Sequence, residues 1–198
     1  MSKKKRKLSN SIPTNNNQKG GQERTIMGLD MYLNRKRILS WEDQIKMKEE
    51  MKIENPVISV EEEVAYWRKA NQINKFFMKR DIDGEGRNAK VDINDLKELL
   101  KICKRLKREL KLVDGKVHTG TRYTKENGVE EMYADGKVVA NKELAEKLLP
   151  TEAGFFFGST DYDEWYYQQI VETIPVLEKI ISEHNDAYDM EYSYYASW

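Results

Sequence analysis

A single cysteine, Cys103, leaves the 198-residue chain without an internal disulfide. No apolar run approaches the roughly 18 residues that a membrane-spanning helix needs, and the basic start lacks the hydrophobic stretch of a signal peptide. These absences imply a soluble chain in a reducing, intracellular setting, with no membrane partner. No internal repeat or shift of composition asks for a second domain, so one domain plus a tail is expected. The two histidines, His118 and His184, stand at no spacing to Cys, Asp or Glu that suits zinc, and are expected to be structural or at the surface. Nucleophile-elbow and phosphate-loop patterns are missing as well.

Net charge is also absent, since 34 Lys and Arg balance 34 Asp and Glu, but the balance hides an asymmetry. Residues 1–26 hold seven Lys/Arg and one Glu, which leaves 27 basic and 33 acidic residues in the rest. An acidic body is a poor nonspecific nucleic-acid binder, because neutralising phosphates needs clustered cations. Such affinity is expected only in the tail, at Lys3–Lys7, or on a local basic face. With an Asn run, Gly-Gly and little to bury, residues 1–26 read as a disordered basic leader. Its cluster fits a solubilising leader or an upstream-start extension better than an import signal or a nucleic-acid clamp. What the chain holds in abundance is aromatic surface with polar tips, including eleven tyrosines and four tryptophans.

The body, 27–198, reads as a single α+β domain, a small and mostly antiparallel sheet packed by three to four helices. Met27, Leu29, Met31 and Leu33 alternate with Gly28, Asp30 and Tyr32 as a half-buried strand does. Ser59 and Glu62 match a capping box, and Tyr66, Ala70, Ile73 and Phe77 follow at helical spacing, so a helix is predicted over about 60–80. A second helix is predicted over about 93–112 on the stripe Leu96, Leu99, Cys103, Leu106 and Leu110. Its other face, Lys101 to Lys111, is the one dense basic patch of the body, a solvated face or a site for an acidic partner. Asp-Gly at 114–115 and again at 135–136 predicts one or two hairpins within 113–140. Asn141 caps a predicted short helix ending at Leu149-Pro150; Phe155–Phe157 then read as a short buried strand, and a helix over about 161–184 should kink or divide at Pro175. Alternation over 188–195 predicts a closing strand.

Three constellations carry candidate chemistry. Asp81-Ile82-Asp83-Gly84-Glu85-Gly86 begins like a calcium loop but has Asn88 and Asp92 where an apolar residue and a bidentate Glu belong, so an acidic helix-connecting turn is favoured. On the predicted 60–80 helix, Trp67, Asn71 and Asn74 form a second stripe beside Tyr66 and Arg68, a set able to read a base, sugar or peptide edge. The acidic helix start at Asp161, Tyr162, Asp163, Glu164 and Trp165 argues for capping rather than phosphate binding. Asp161 and Asp163, with Asp30 from the first strand, are the candidate ligands for Mg²⁺ in phosphate-ester chemistry.

The segments Met27-Gly28-Leu29-Asp30-Met31-Tyr32-Leu33, Tyr66-Trp67-Arg68-Lys69-Ala70-Asn71, Leu148-Leu149-Pro150-Thr151 through Tyr167, and the terminal Tyr-Tyr-Ala-Ser-Trp together resemble an uncharacterised family of small bacteriophage and prophage proteins. The resemblance spans about 27–198 and implies the cytoplasm of a bacterial host, without implying an activity. The leader lies outside the family pattern, the 81–86 loop is peculiar to this chain, and Asn74 stands where the resemblance implies a histidine. The resulting expectation is a non-enzymatic accessory protein that binds a host or phage protein, or a small nucleotide-like ligand, through Tyr66, Trp67, Arg68, Asn71, Asn74, Asp161, Tyr162 and Trp165, without a cofactor. The alternatives are a Mg²⁺-dependent phosphoesterase built on Asp30, Asp161 and Asp163, and nucleic-acid binding through the leader.

Overall fold

The computed structural model describes residues 28–82, 84–125, 128–186 and 188–198, so the leader and Asp83 lie outside the described residues. The fold is α+β. Strand β1 (Asp30–Ile38) is followed by helix α1 (Trp41–Met51), strand β2 (Ser59–Arg68), helix α2 (Asn71–Phe77) with a 3-10 turn at Met78–Arg80, and strand β3 (Asn88–Val91). Helix α3 (Ile93–Glu109), a hairpin of β4 (Leu112–Thr124) and β5 (Gly128–Val139), helix α4 (Lys142–Leu148), helix α5 (Glu164–Glu183) and strand β6 (Met190–Ser197) complete it.

Four strands form an antiparallel sheet in the order β2-β1-β6-β3. The closing strand therefore lies inside the sheet, where Tyr192, Tyr194 and Ala196 point into the core and the residues between them point out. Helices α3 and α5 supply much of the opposing apolar layer. Leu96, Leu99, Cys103 and Leu106 of α3, and Ile170, Leu177 and Ile180 of α5, join the sheet in one hydrophobic cluster. Asp92 and Asp95 form a reciprocal capping box that starts α3 at its predicted place.

Several expectations are corrected. The helix predicted over 60–80 is instead a strand followed by a single two-turn helix, with the break at Lys69-Ala70. Backbone pairing of Asp30 to Arg68 through Leu33 to Ala65 overrides the helix-forming glutamates at 61–63, which line the open edge of the sheet. The Phe155–Phe157 strand is a loop, because left-handed φ values at Phe156 (67°) and Gly158 (89°) break extended pairing. The Asp-Gly pairs do not turn the chain; Gly115 faces Gly136 in the middle of one long hairpin. Asn141 does not cap α4 with its side chain, which instead ties Lys111 N–H to the Glu109 carbonyl. Helix α5 runs undivided through the exposed Pro175 and starts at Glu164, with Asp163 as its cap.

Candidate functional site

A cleft of ≈ 570 Å³ opens between the end of β2 and the exposed side of α5. Tyr66 to Ala70 line one wall. Trp165, Gln169, Glu172 and Val176 line the other, at i, i+4, i+7 and i+11 of one helix face. Trp67 closes the bottom, 8% exposed, its indole N–H donating to Thr173 Oγ1 at 3.0 Å. Thr173 in turn donates to the Gln169 carbonyl at 2.7 Å, and the Gln169 amide is held by Gln72 at 2.8 Å and donates to the Arg68 carbonyl at 3.3 Å. Every polar group at the base is thereby engaged, which makes a rigid floor. Trp165 stands above it, 57% exposed.

The charged rim grows out of β1 and β2. Asp30 and Arg68 are cross-strand partners, and Arg68 Nη1 lies 3.5 Å from Asp30 Oδ1. The Tyr66 hydroxyl donates to the same Asp30 oxygen, and burial together with that carboxylate raises the Tyr66 pKa, so the phenol stays protonated. Gly28 leaves room for this arrangement, since a Cβ there would lie 3.1 Å from Arg68 Nη2. Lys69 follows with φ of 55°, an uncommon left-handed turn that carries its exposed ammonium to the same rim. Two cations against one buried carboxylate leave the β2 side of the cleft positive. Glu172 supplies a hydrogen-bond acceptor on the α5 side.

Of the residues singled out in the sequence, Tyr66, Trp67, Arg68 and Trp165 converge on this cleft. Asn71 and Asn74 do not, each being 1% exposed, because they lie on α2 while Trp67 lies on β2, so the three share no helical stripe. Asn71 Nδ2 donates to the carbonyls of Phe157 (3.2 Å) and Ser159 (2.8 Å), and its Oδ1 accepts from Glu152 N–H at 3.1 Å. Asn74 accepts from the Tyr194 hydroxyl at 2.7 Å, so its position addresses a buried network rather than the cleft. Tyr162 packs on Tyr166 and accepts from Thr151 N–H, while Asp161 is exposed beside Ser159. Lys69, Gln169, Glu172 and Val176 were not read from the sequence. Gln169, Glu172 and Val176 share a face with Trp165 on the helix already predicted over about 161–184, but nothing in the sequence shows that this face meets the end of β2.

Asp30, Asp161 and Asp163 are not brought together. Asp30 is held by Tyr66 and Arg68, Asp163 caps α5 by accepting from Tyr166 N–H at 3.0 Å, and no group of three His, Cys, Asp or Glu able to hold a metal occurs among the described residues. Asp81 accepts from Gly86 N–H at 2.9 Å, closing its own loop. His118 lies against Glu131 and Tyr133, and His184 against Tyr192 and Asp186. The basic face of α3 is partly paired, through Lys104 to Glu178 and through Arg105 and Arg108 to Glu109. No helix among the described residues is long and apolar enough to cross a membrane. Comparison of the chain with family models, curated proteins and solved structures finds no match.

Proposed function

We propose that the chain is a non-enzymatic binding protein, an accessory protein of phage type, whose cleft between β2 and α5 takes a small nucleotide-like ligand. The observation that carries this reading is the pairing of a half-exposed Trp165 with Arg68 and Lys69 across a preformed cleft. A flat heteroaromatic body stacks on Trp165, in the way bases stack on aromatic side chains, at about 1–3 kcal/mol per base. An anionic group reaches Arg68 and Lys69, where charge-assisted hydrogen bonds are the stronger kind. Gln169 is fully committed to the protein, so Glu172, whose Oε1 accepts from Gln168 Nε2 at 2.8 Å, reads the ligand edge through its remaining acceptor capacity. The phage-type assignment rests on the sequence segments that carry the resemblance.

Isothermal calorimetry with the full chain and a set of mononucleotides and nucleosides tests it. Saturable heat with a mononucleotide, weaker by about tenfold or more for the matching nucleoside, is expected. Equal binding of the two removes the role given to Arg68 and Lys69, and no heat with any of them removes the reading.

A further inference from the structure

Phe155 and Phe156 are among the exposed aromatic residues that the cleft does not use. Phe155 and Phe156, 78% and 41% exposed with ring centroids 4.2 Å apart, form a knob beside the start of β1. Phe156 sits at φ 67°, an outlier for a bulky side chain, and such strain persists only where surrounding contacts impose it. Those contacts are present: the Phe156 carbonyl accepts from Leu29 N–H at 3.2 Å, and Asn71 grips the next residues of the loop. Two apolar rings are thus held outward by the contacts that fix the loop.

On the loop that carries the knob, residues 151–162 hold two acids, Glu152 and Asp161, and no Lys or Arg, and Asp161 is exposed. The cleft beside it is apolar at Trp67 and Trp165, with Arg68 and Lys69 on its β2 rim and Glu172 on its α5 side. Knob and cleft are neighbours, since a Cβ on Gly158 would lie 3.2 Å from Lys69 Cβ. A protrusion and its complement side by side on one surface become self-complementary under a two-fold axis, each copy giving its knob to the other.

We propose that this face pairs two copies of the chain, with Phe155 and Phe156 of each copy seated in the Trp67–Trp165 cleft of the other, and Arg68 and Lys69 facing the other copy's exposed Asp161. At about 150–250 Å² per aromatic side chain, the exposed parts of the two rings amount to roughly 180–300 Å² per copy. Counting the cleft lining that each copy also covers doubles this, below the roughly 800 Å² per partner of a standard interface. The pair is therefore weak and concentration-dependent. It uses the same cleft as the ligand reading but does not depend on it.

Sedimentation equilibrium on the ligand-free full chain tests the pairing separately from ligand binding. The mass should rise with concentration from one chain to two and stop there, and added salt should weaken the association. Phe155→Ser, at an exposed position, should keep the wild-type melting temperature and weaken association by roughly tenfold or more. Lys69→Glu should weaken it as well, by removing the charge match. A chain that stays monomeric at every concentration, a mass that grows past two copies, or unchanged association in Phe155→Ser would overturn the proposal.

Discussion

Asn71 shows how much a single side chain can decide. Its residue type and place in the sequence marked it for reading a ligand, whereas its three hydrogen bonds run to the backbone of 152–159 and hold the whole loop. Replacing it with alanine strands two carbonyls and one N–H, so Asn71→Ala should cost about 2–4 kcal/mol in urea unfolding and speed proteolysis near Phe155. An unchanged unfolding midpoint would mean that the loop is held by something else. Tyr194 offers a smaller change of the same kind. It is 1% exposed, and Tyr194→Phe deletes only the hydroxyl that donates to Asn74, with an expected cost of about 1–2 kcal/mol in the same measurement. Gly154 belongs with these residues, because a Cβ there would come within 2.5 Å of the Phe157 ring and push the buried member of the phenylalanine run off its site.

Among the elements, what was legible in the sequence was whatever carried a clean period. The α3 stripe and the alternation of β6 were readable because each buries one face and wets the other. Helix α1 escaped because it buries no residue; it is held by its cap, Ser40 accepting from Asp43 N–H, and has no apolar stripe to detect. Strand β2 was misread because apolar residues fill 64–67 without alternation, and a short apolar run fits either period. The paired Asp-Gly steps misled for another reason. They look like turns, but in the hairpin Gly115 and Gly136 make room for Val138 and Val117, whose methyls would lie 2.6 Å from an added Cβ. This hairpin is anchored at its base, where Val139 N–H donates to the Tyr162 carbonyl at 2.8 Å and Val138 bridges to Asp163. Two-stranded ribbons add little stability alone. Replacing 118–133 by a short turn should therefore shift unfolding by no more than about 1 kcal/mol in thermal circular dichroism, and loss of cooperative melting would contradict that picture.

For the whole molecule, the buried ionisable groups set the response to pH. Burial pushes the Cys103 thiol up to about 12, and raises the Tyr166 and Tyr194 phenols above their ordinary value. In each case the folded state keeps a proton that the unfolded chain gives up at its ordinary pKa, near 8.5 for Cys and 10 for Tyr. The unfolded chain thus binds fewer protons at high pH, and the free energy of unfolding falls as pH rises. Stability should be insensitive to these groups at neutral pH and decline above about pH 9, with a slope approaching about 4 kcal/mol per unit once all three ionise on unfolding. Urea titrations at stepped pH check this, and Cys103→Ala should flatten the first part of the decline.

The candidate site was half legible at this scale. Tyr66, Trp67, Arg68 and Trp165 announced themselves by residue type, but the wall from Gln169 to Val176 needed the packing of α5 beside β2, and the exclusion of Asn71 and Asn74 needed the strand. Trp165 and Arg68 are proposed to receive one nucleotide-like ligand between them. Tryptophan fluorescence during a mononucleotide titration tests it most directly, with the wild-type chain compared to Trp165→Phe and Arg68→Lys. Saturable quenching is expected in the wild type, a clearly smaller amplitude in Trp165→Phe, where Trp67 on the cleft floor is left to respond, and a higher half-saturation in Arg68→Lys, whose ammonium lacks the guanidinium's bidentate reach. Quenching that persists unchanged in Trp165→Phe, or none in the wild type, would contradict it.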